Sequence, residues 1–143
     1  MKTPQQLVDL YYSSVGRGAS FLLNLPPDRR GRIHEHDVRA LQEFRRVIDT
    51  TFATNLAAGA RVSASNSRGG GRDRNFKPGN MLDGSKTTYW ATDDGVRTAS
   101  VVLDLGRDAS FNVVRIREHL PLGQRVEAGG LDQWQGGGWG EVA

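Results

Sequence analysis

Apolar residues recur at helical spacing from the start of the chain. Thr3 stands where a cap is expected, Pro4 suits the first helical position, and Gln6 completes a capping box three residues on. Leu7, Leu10, Tyr11 and Val15 follow at helical intervals, and Gly16 offers a left-handed stop. The period then breaks. Ala19-Ser20-Phe21-Leu22-Leu23-Asn24-Leu25 is short and nearly all apolar, and its place between Gly18 and Pro26 predicts a strand buried on both faces. Beyond Pro26-Pro27-Asp28 the helical period returns. Val38, Leu41, Phe44, Val47, Ile48 and Phe52 form one stripe over Glu35 to Phe52, with Glu35 and Asp37 placed to complement the helix dipole. Helix, buried strand, helix is the unit of a parallel α/β fold. A doubly covered strand needs strand neighbours, and none is offered here, so this part is expected to belong to a larger sheet.

From about Asn55 the pattern is that of β structure. Arg61-Val62-Ser63-Ala64-Ser65 alternates weakly, whereas Ser100 to Leu105 and Phe111 to Arg117 predict clear strands around a turn with Gly106 and Asp108. Leu131 to Gln135 and Trp139 to Val142 predict a hairpin about Gly136-Gly137-Gly138. Short strands with regular turns suggest a β-sandwich. Glycine usage changes at the same place: three of the 18 glycines fall in residues 1–56 and fifteen in the rest. Asn66 to Asn75 reads as a flexible basic loop whose Arg68, Arg72 and Arg74 are expected to be solvated rather than to hold an anion.

Composition removes several function classes. Nineteen Lys and Arg against sixteen Asp and Glu leave a net charge of +3, too balanced for a nucleic-acid arm or a polybasic membrane tether. No apolar run approaches the ~20 residues of a membrane span. The absence of cysteine excludes a disulfide framework, a thiolate zinc site and a cysteine nucleophile. The polar stretch after Met1 reads as no signal peptide, and the compartment is left open by the sequence.

Two groups of residues carry a resemblance. Ser14-Val15-Gly16-Arg17-Gly18-Ala19-Ser20-Phe21-Leu22-Leu23-Asn24-Leu25-Pro26-Pro27-Asp28-Arg29-Arg30-Gly31 resembles the last barrel strand, and the loop after it, of bacterial α-L-fucosidases of glycoside hydrolase family 29. Met81-Leu82-Asp83-Gly84-Ser85-Lys86-Thr87-Thr88-Tyr89-Trp90, Val101 to Gly106 and Arg117 to Val126 are similar to a discoidin-like domain of the factor 5/8 C-terminal type, akin to carbohydrate-binding module family 32. The fold class expected from this is an α/β remnant, the last helix–strand–helix of a TIM-type barrel, followed by an incomplete all-β discoidin-like jelly-roll sandwich. The domains expected are 1–54, the end of a (β/α)8 catalytic barrel, and 55–143, a truncated discoidin-like sandwich. The resemblance implies a parent that is a retaining glycosidase acting on terminal α-L-fucosyl linkages, with fucosylated glycans as partners and neither nucleic acid nor membrane. Such chemistry needs two carboxyls about 5 Å apart. Both lie upstream of the matched region in the family, so no catalytic residue is assigned and the chain alone is expected to be inactive. The alternative is a non-catalytic carbohydrate-binding or structural β-sandwich module.

Candidate sites are few. Asp28 and His34, on the loop after the expected barrel strand, could approach substrate, but a turn carboxylate and a helix-entry histidine are the favoured readings. His34 and His36, two residues apart, are not expected on one helical face, which disfavours a metal pair, and His119 receives no role. Asp83 and Thr88, with Gly84 permitting the turn, supply hard oxygen donors, and the resemblance implies a structural calcium there, completed by a carboxylate nearer the domain's end. A metal-free Asp-Gly turn is the competing reading. No cofactor is expected for catalysis. Trp90 reads as packing, Trp139 as the most exposed tryptophan, Trp134 as ambiguous, and Glu118 with Arg125 as a surface ion pair. Gly129-Gly130 weakens any strand that includes it, so the strand around Leu131 either suffers or starts later.

Overall fold

The computed structural model describes residues 2–143. They divide into two compact units: the residues up to Leu56 with Ala109–Arg115, and Ala57–Asp108 with Ile116–Ala143. Among the described residues no helix is long and apolar enough to cross a membrane.

The first unit is built on two helices. Helix α1 (Pro4–Ser13) starts from the expected capping box: the Gln6 amide donates to Thr3 Oγ1 at 3.3 Å and the Thr3 amide donates to Gln6 Oε1 at 2.9 Å. It stops before Gly16, because the Ser13 and Ser14 hydroxyls donate back to the Asp9 and Leu10 carbonyls. A 3-10 turn, Val15–Arg17, follows, and the left-handed residue is Gly18, at φ 81°. Helix α2 (Glu35–Thr51) matches its apolar stripe. Leu7 is fully buried and Val8 nearly so. Around them Tyr11 meets Phe44 edge-on at 6.2 Å and lies 6.5 Å from Phe52. The Arg115 guanidinium sits 4.7 Å above the Phe52 ring, a cation–π contact that ties the returning segment to the helix end.

Between the helices the chain from Ser20 to Leu25 is extended. Phe21, Leu23 and Leu25 are half-buried, with Phe21 edge-on to Phe44 at 6.3 Å, while Ser20, Leu22 and Asn24 are exposed, Leu22 by 89%. This corrects the expectation of burial on both faces. Helix side chains cover one side only, and no strand among the described residues pairs with this ribbon. No backbone hydrogen bond among them reaches residues 20–27.

The second unit holds two antiparallel pairs. Strand β1 (Arg61–Ala64) runs against β2 (Val101–Asp104), with Arg61 opposite Asp104 and their side chains paired at 2.6 Å. Strand β3 (Asp132–Gln135) runs against β4 (Gly138–Glu141), with Trp134 opposite Trp139. The connecting Gly136 and Gly137 have φ 57° and 96°, the left-handed pair that a two-residue hairpin loop demands. Gly129 and Gly130 lie outside β3, so the strand does start later; the Leu131 amide donates to the Ala143 carbonyl at 2.6 Å just before it. No strand forms over Phe111 to Arg117. Its first part belongs to the first unit, and Ile116 is 84% exposed.

Two-stranded ribbons hold weakly by themselves, and polar side chains supply much of this unit's order. Asn80 is buried, and its Nδ2 donates to the carbonyls of Asn75 at 2.8 Å, Tyr89 at 3.1 Å and Arg74 at 3.4 Å. We expect Asn80→Ala to cost about 1–3 kcal/mol, the usual penalty for stranding buried polar groups. Asn80→Asp should cost more, because it aims a carboxylate at three carbonyl oxygens. Denaturant melts of the three chains, followed by tryptophan fluorescence, give the order directly.

Candidate functional site

In the first unit the chemistry lies on the loop that follows the extended ribbon. Pro26-Pro27 ends the ribbon, and the chain then closes on Asp28. Its amide donates to the Arg32 carbonyl at 2.7 Å, and the Gly31 amide donates to the Asp28 carbonyl at 2.9 Å, with Gly31 at φ 74°. The Asp28 carboxylate accepts from the amides of Arg30 and Arg32 and from the Arg30 guanidinium at 2.6 Å, which also reaches Glu35 at 2.7 Å. The Arg30 side chain, with the two amides, holds the Asp28 carboxyl below its usual range. Asp28 is thus committed to its own loop, as the turn reading expects.

His34 is the N-cap of α2. Its Nδ1 accepts the His36 amide hydrogen at 3.2 Å, and the two imidazoles stack with centroids 5.4 Å apart and planes 10° from parallel. The expectation that these side chains diverge is corrected: a cap residue lies outside the helix, so helical spacing does not govern it. Among the described residues no group of three His, Cys, Asp or Glu is arranged to hold a metal.

In the second unit Asp83 and Thr88 come together. Thr88 Oγ1 donates to Asp83 Oδ2 at 2.7 Å and the Ser85 amide donates to Asp83 Oδ1 at 2.8 Å, which lowers the Asp83 pKa, the threonine contact contributing most. Ser85 Oγ and Thr87 Oγ1 lie 3.0 Å apart in the same loop. The loop therefore gathers one carboxylate and three hydroxyls, a hard-oxygen set of the kind calcium takes, though with a single charge.

Sequence reasoning missed a second polar centre. Asp93 accepts from the Gly69 amide at 2.9 Å and from Asn66 Nδ2 at 3.1 Å, and the Asp93 amide donates to Asn66 Oδ1 at 2.9 Å. Arg68 pairs with Asp94 and lies 5.5 Å over the Phe76 ring, so it is not the solvated cation expected, whereas Arg72 and Arg74 are exposed. Trp90 is half-buried and donates to the Asn66 carbonyl and Ser67 Oγ, in line with a packing role. His119 stacks on Tyr89 at 4.3 Å. Glu118 accepts the Arg125 and Val126 amides, while the Arg125 guanidinium turns to the Leu122 carbonyl, so the expected ion pair gives way to a loop clamp. Trp134 and Trp139 are both more than half exposed and meet edge-on at 5.3 Å.

Seven carboxyls share one property. Asp28, Glu35, Glu43, Asp83, Asp93, Asp104 and Glu118 are all held below their ordinary values by amides, arginines or hydroxyls. A general acid at neutral pH needs the opposite shift. For stability the sign is plain: a depressed carboxyl stabilises the fold above its unfolded value, 3.8 for aspartate and 4.5 for glutamate, and loses that contribution as pH falls through the lower folded value. The melting temperature should therefore hold steady from pH 7 to 5 and fall below about pH 4. Asp93→Asn should flatten part of that fall in a series of melts.

No family model matches the sequence. α-L-Fucosidase 1 of Arabidopsis thaliana is 40% identical over 125 residues, which are 87% of this chain and 24% of that protein. The solved Ruminococcus gnavus GH29 fucosidase in complex with fucose superposes with a TM-score of 0.88 at 39% identity, over 99% of this chain and 28% of that one. SpGH29 superposes with a TM-score of 0.86 at 35% identity, over 98% of this chain and 30% of that one. The chain spans about a quarter of the length of the curated relatives it matches. Through nearly all of its residues, then, this chain is similar to one stretch of fucosidases, from Arabidopsis thaliana and from Ruminococcus gnavus alike.

Proposed function

We propose that the chain is the C-terminal part of a retaining α-L-fucosidase. Residues 1–54 contribute the last strand and flanking helices of a (β/α)8 barrel, and residues 55–143 open a discoidin-like sandwich. The observation that carries the reading is the Ser20–Leu25 ribbon. Its Phe21, Leu23 and Leu25 are half-buried, Phe21 against α2, its other face is exposed, and no backbone hydrogen bond among the described residues pairs either edge, in a chain matching 28% of a superposable fucosidase. Such a strand is what a barrel loses when its neighbours are elsewhere in the polypeptide.

The division of labour follows. A retaining glycosidase attacks the sugar with one carboxylate and protonates the leaving oxygen with another. In this reading both catalytic groups come from the remainder of the parent, since the family's pair lies upstream of the stretch that this chain resembles. The contribution of this chain is the barrel wall and the loop from Pro26 to His34, which opens on the active-site face of such a barrel. Fucosylated glycans are the substrates in this reading, with the sandwich as an appended carbohydrate-binding domain.

We further propose that Asp83 and Thr88 hold a calcium ion in the complete sandwich. It would fasten their loop and take no part in the hydrolysis.

Two experiments test these readings. The chain by itself should not hydrolyse an aryl α-L-fucoside. A chimera in which it replaces the superposing part of the Ruminococcus gnavus enzyme should do so, and an inactive but folded chimera would overturn the assignment. For the metal, millimolar calcium should raise the melting temperature of that chimera relative to EDTA. Asp83→Asn should abolish the difference.

A further inference from the structure

Asn24 is the one polar residue between Phe21 and Leu25, in a ribbon that opens on Ser20. Along Ser20 to Leu25 exposure alternates strictly: Phe21, Leu23 and Leu25 are half-buried, Phe21 against Phe44 of α2, and Ser20, Leu22 and Asn24 are exposed. Strands of a (β/α)8 barrel divide their side chains in this way, one set under the helix layer and the other in the barrel interior. The Phe21–Phe44 contact fixes which set is which, so Leu22 and Asn24 belong to the interior. Chain direction then ranks them. The C-terminal ends of barrel strands open on the active-site face, and Asn24 is the last polar interior position before Pro26-Pro27 ends the ribbon. Leu22 lies one layer deeper, where barrels pack apolar side chains.

We propose that Asn24 is a sugar-binding residue of the fucosidase site, an inference that rests on the barrel reading above. Its side chain makes no hydrogen bond among the described residues, in contrast with Asp28, whose oxygens are spent on its own loop. A carboxamide left without partners in a barrel interior is costly. A pyranose offers hydroxyls that both donate and accept, and a carboxamide answers with two donors and an acceptor. Being neutral, it binds the sugar without disturbing the ionisation of neighbouring carboxyls, and it transfers no proton.

The active chimera is the test system. Asn24→Leu keeps the side-chain size and removes both hydrogen-bonding functions. It should lower kcat/KM for an aryl α-L-fucoside by roughly 10- to 100-fold, the cost of one or two lost hydrogen bonds to substrate. Free fucose should bind correspondingly more weakly, with the melting temperature unchanged or raised. Leu22→Ala, on the same face, should do the reverse: a lower melting temperature with fucose affinity retained. A chimera that hydrolyses fucosides equally well with Asn24→Leu overturns this inference and leaves the barrel reading standing. So does a variant that melts lower yet binds fucose normally. A folded chimera that neither turns over nor binds fucose overturns both.

Discussion

An extended backbone must place its amides and carbonyls somewhere, and the ribbon from Ser20 to Leu25 places them in no backbone hydrogen bond among the described residues. The rest of the architecture follows from that unmet demand. Apolar side chains are abundant, yet Leu7 and Val8 are the ones buried among the described residues, and Leu22 and Ile116 stand almost wholly in solvent. A domain with its own core does not leave residues of this kind uncovered in such number. In the function proposed above these surfaces are covered by the rest of a larger protein, and the chain is similar to about a quarter of each fucosidase it matches.

What order the chain has comes from local devices. In the first unit a capping box, a cluster of aromatic edges and a guanidinium over Phe52 hold two helices and a returning segment. In the second, carboxylates and amides take the place of a core. Asn80 gathers three carbonyls, Asp93 joins the segments around Asn66 and Thr92, and Glu118 closes its own loop on two amides. Asp93 and Glu118 are each stabilised in the charged form by the groups they organise.

The helices were legible because their signals are local. The capping box at Thr3 and the stripe from Val38 to Phe52 require no knowledge of tertiary structure, and the glycine-centred hairpin was equally plain. Strand signals fared worse where pairing decides the outcome: Phe111 to Arg117 has the right alternation but finds no partner strand. The stacking of His34 on His36 was hidden by treating both as helical, although the role of His34 as a cap undoes that assumption. Asn80 and Asp93 carried no signal, because a buried asparagine among loop carbonyls looks in sequence like any turn residue. The loop pairing of Asp83 with Thr88 was readable from spacing, whereas the diversion of Arg125 from Glu118 to a carbonyl was not.

The central claim is that the Phe21–Leu25 ribbon is a barrel strand awaiting its neighbours, and amide hydrogen exchange addresses it most directly. In the chain alone these amides should exchange almost as fast as in an unstructured peptide, while those of α2 are protected. In the chimera with the rest of the Ruminococcus gnavus fucosidase they should become among the slowest in the molecule. Equal exchange in the two settings would contradict the account, for it would mean that the ribbon gains no strand on either side.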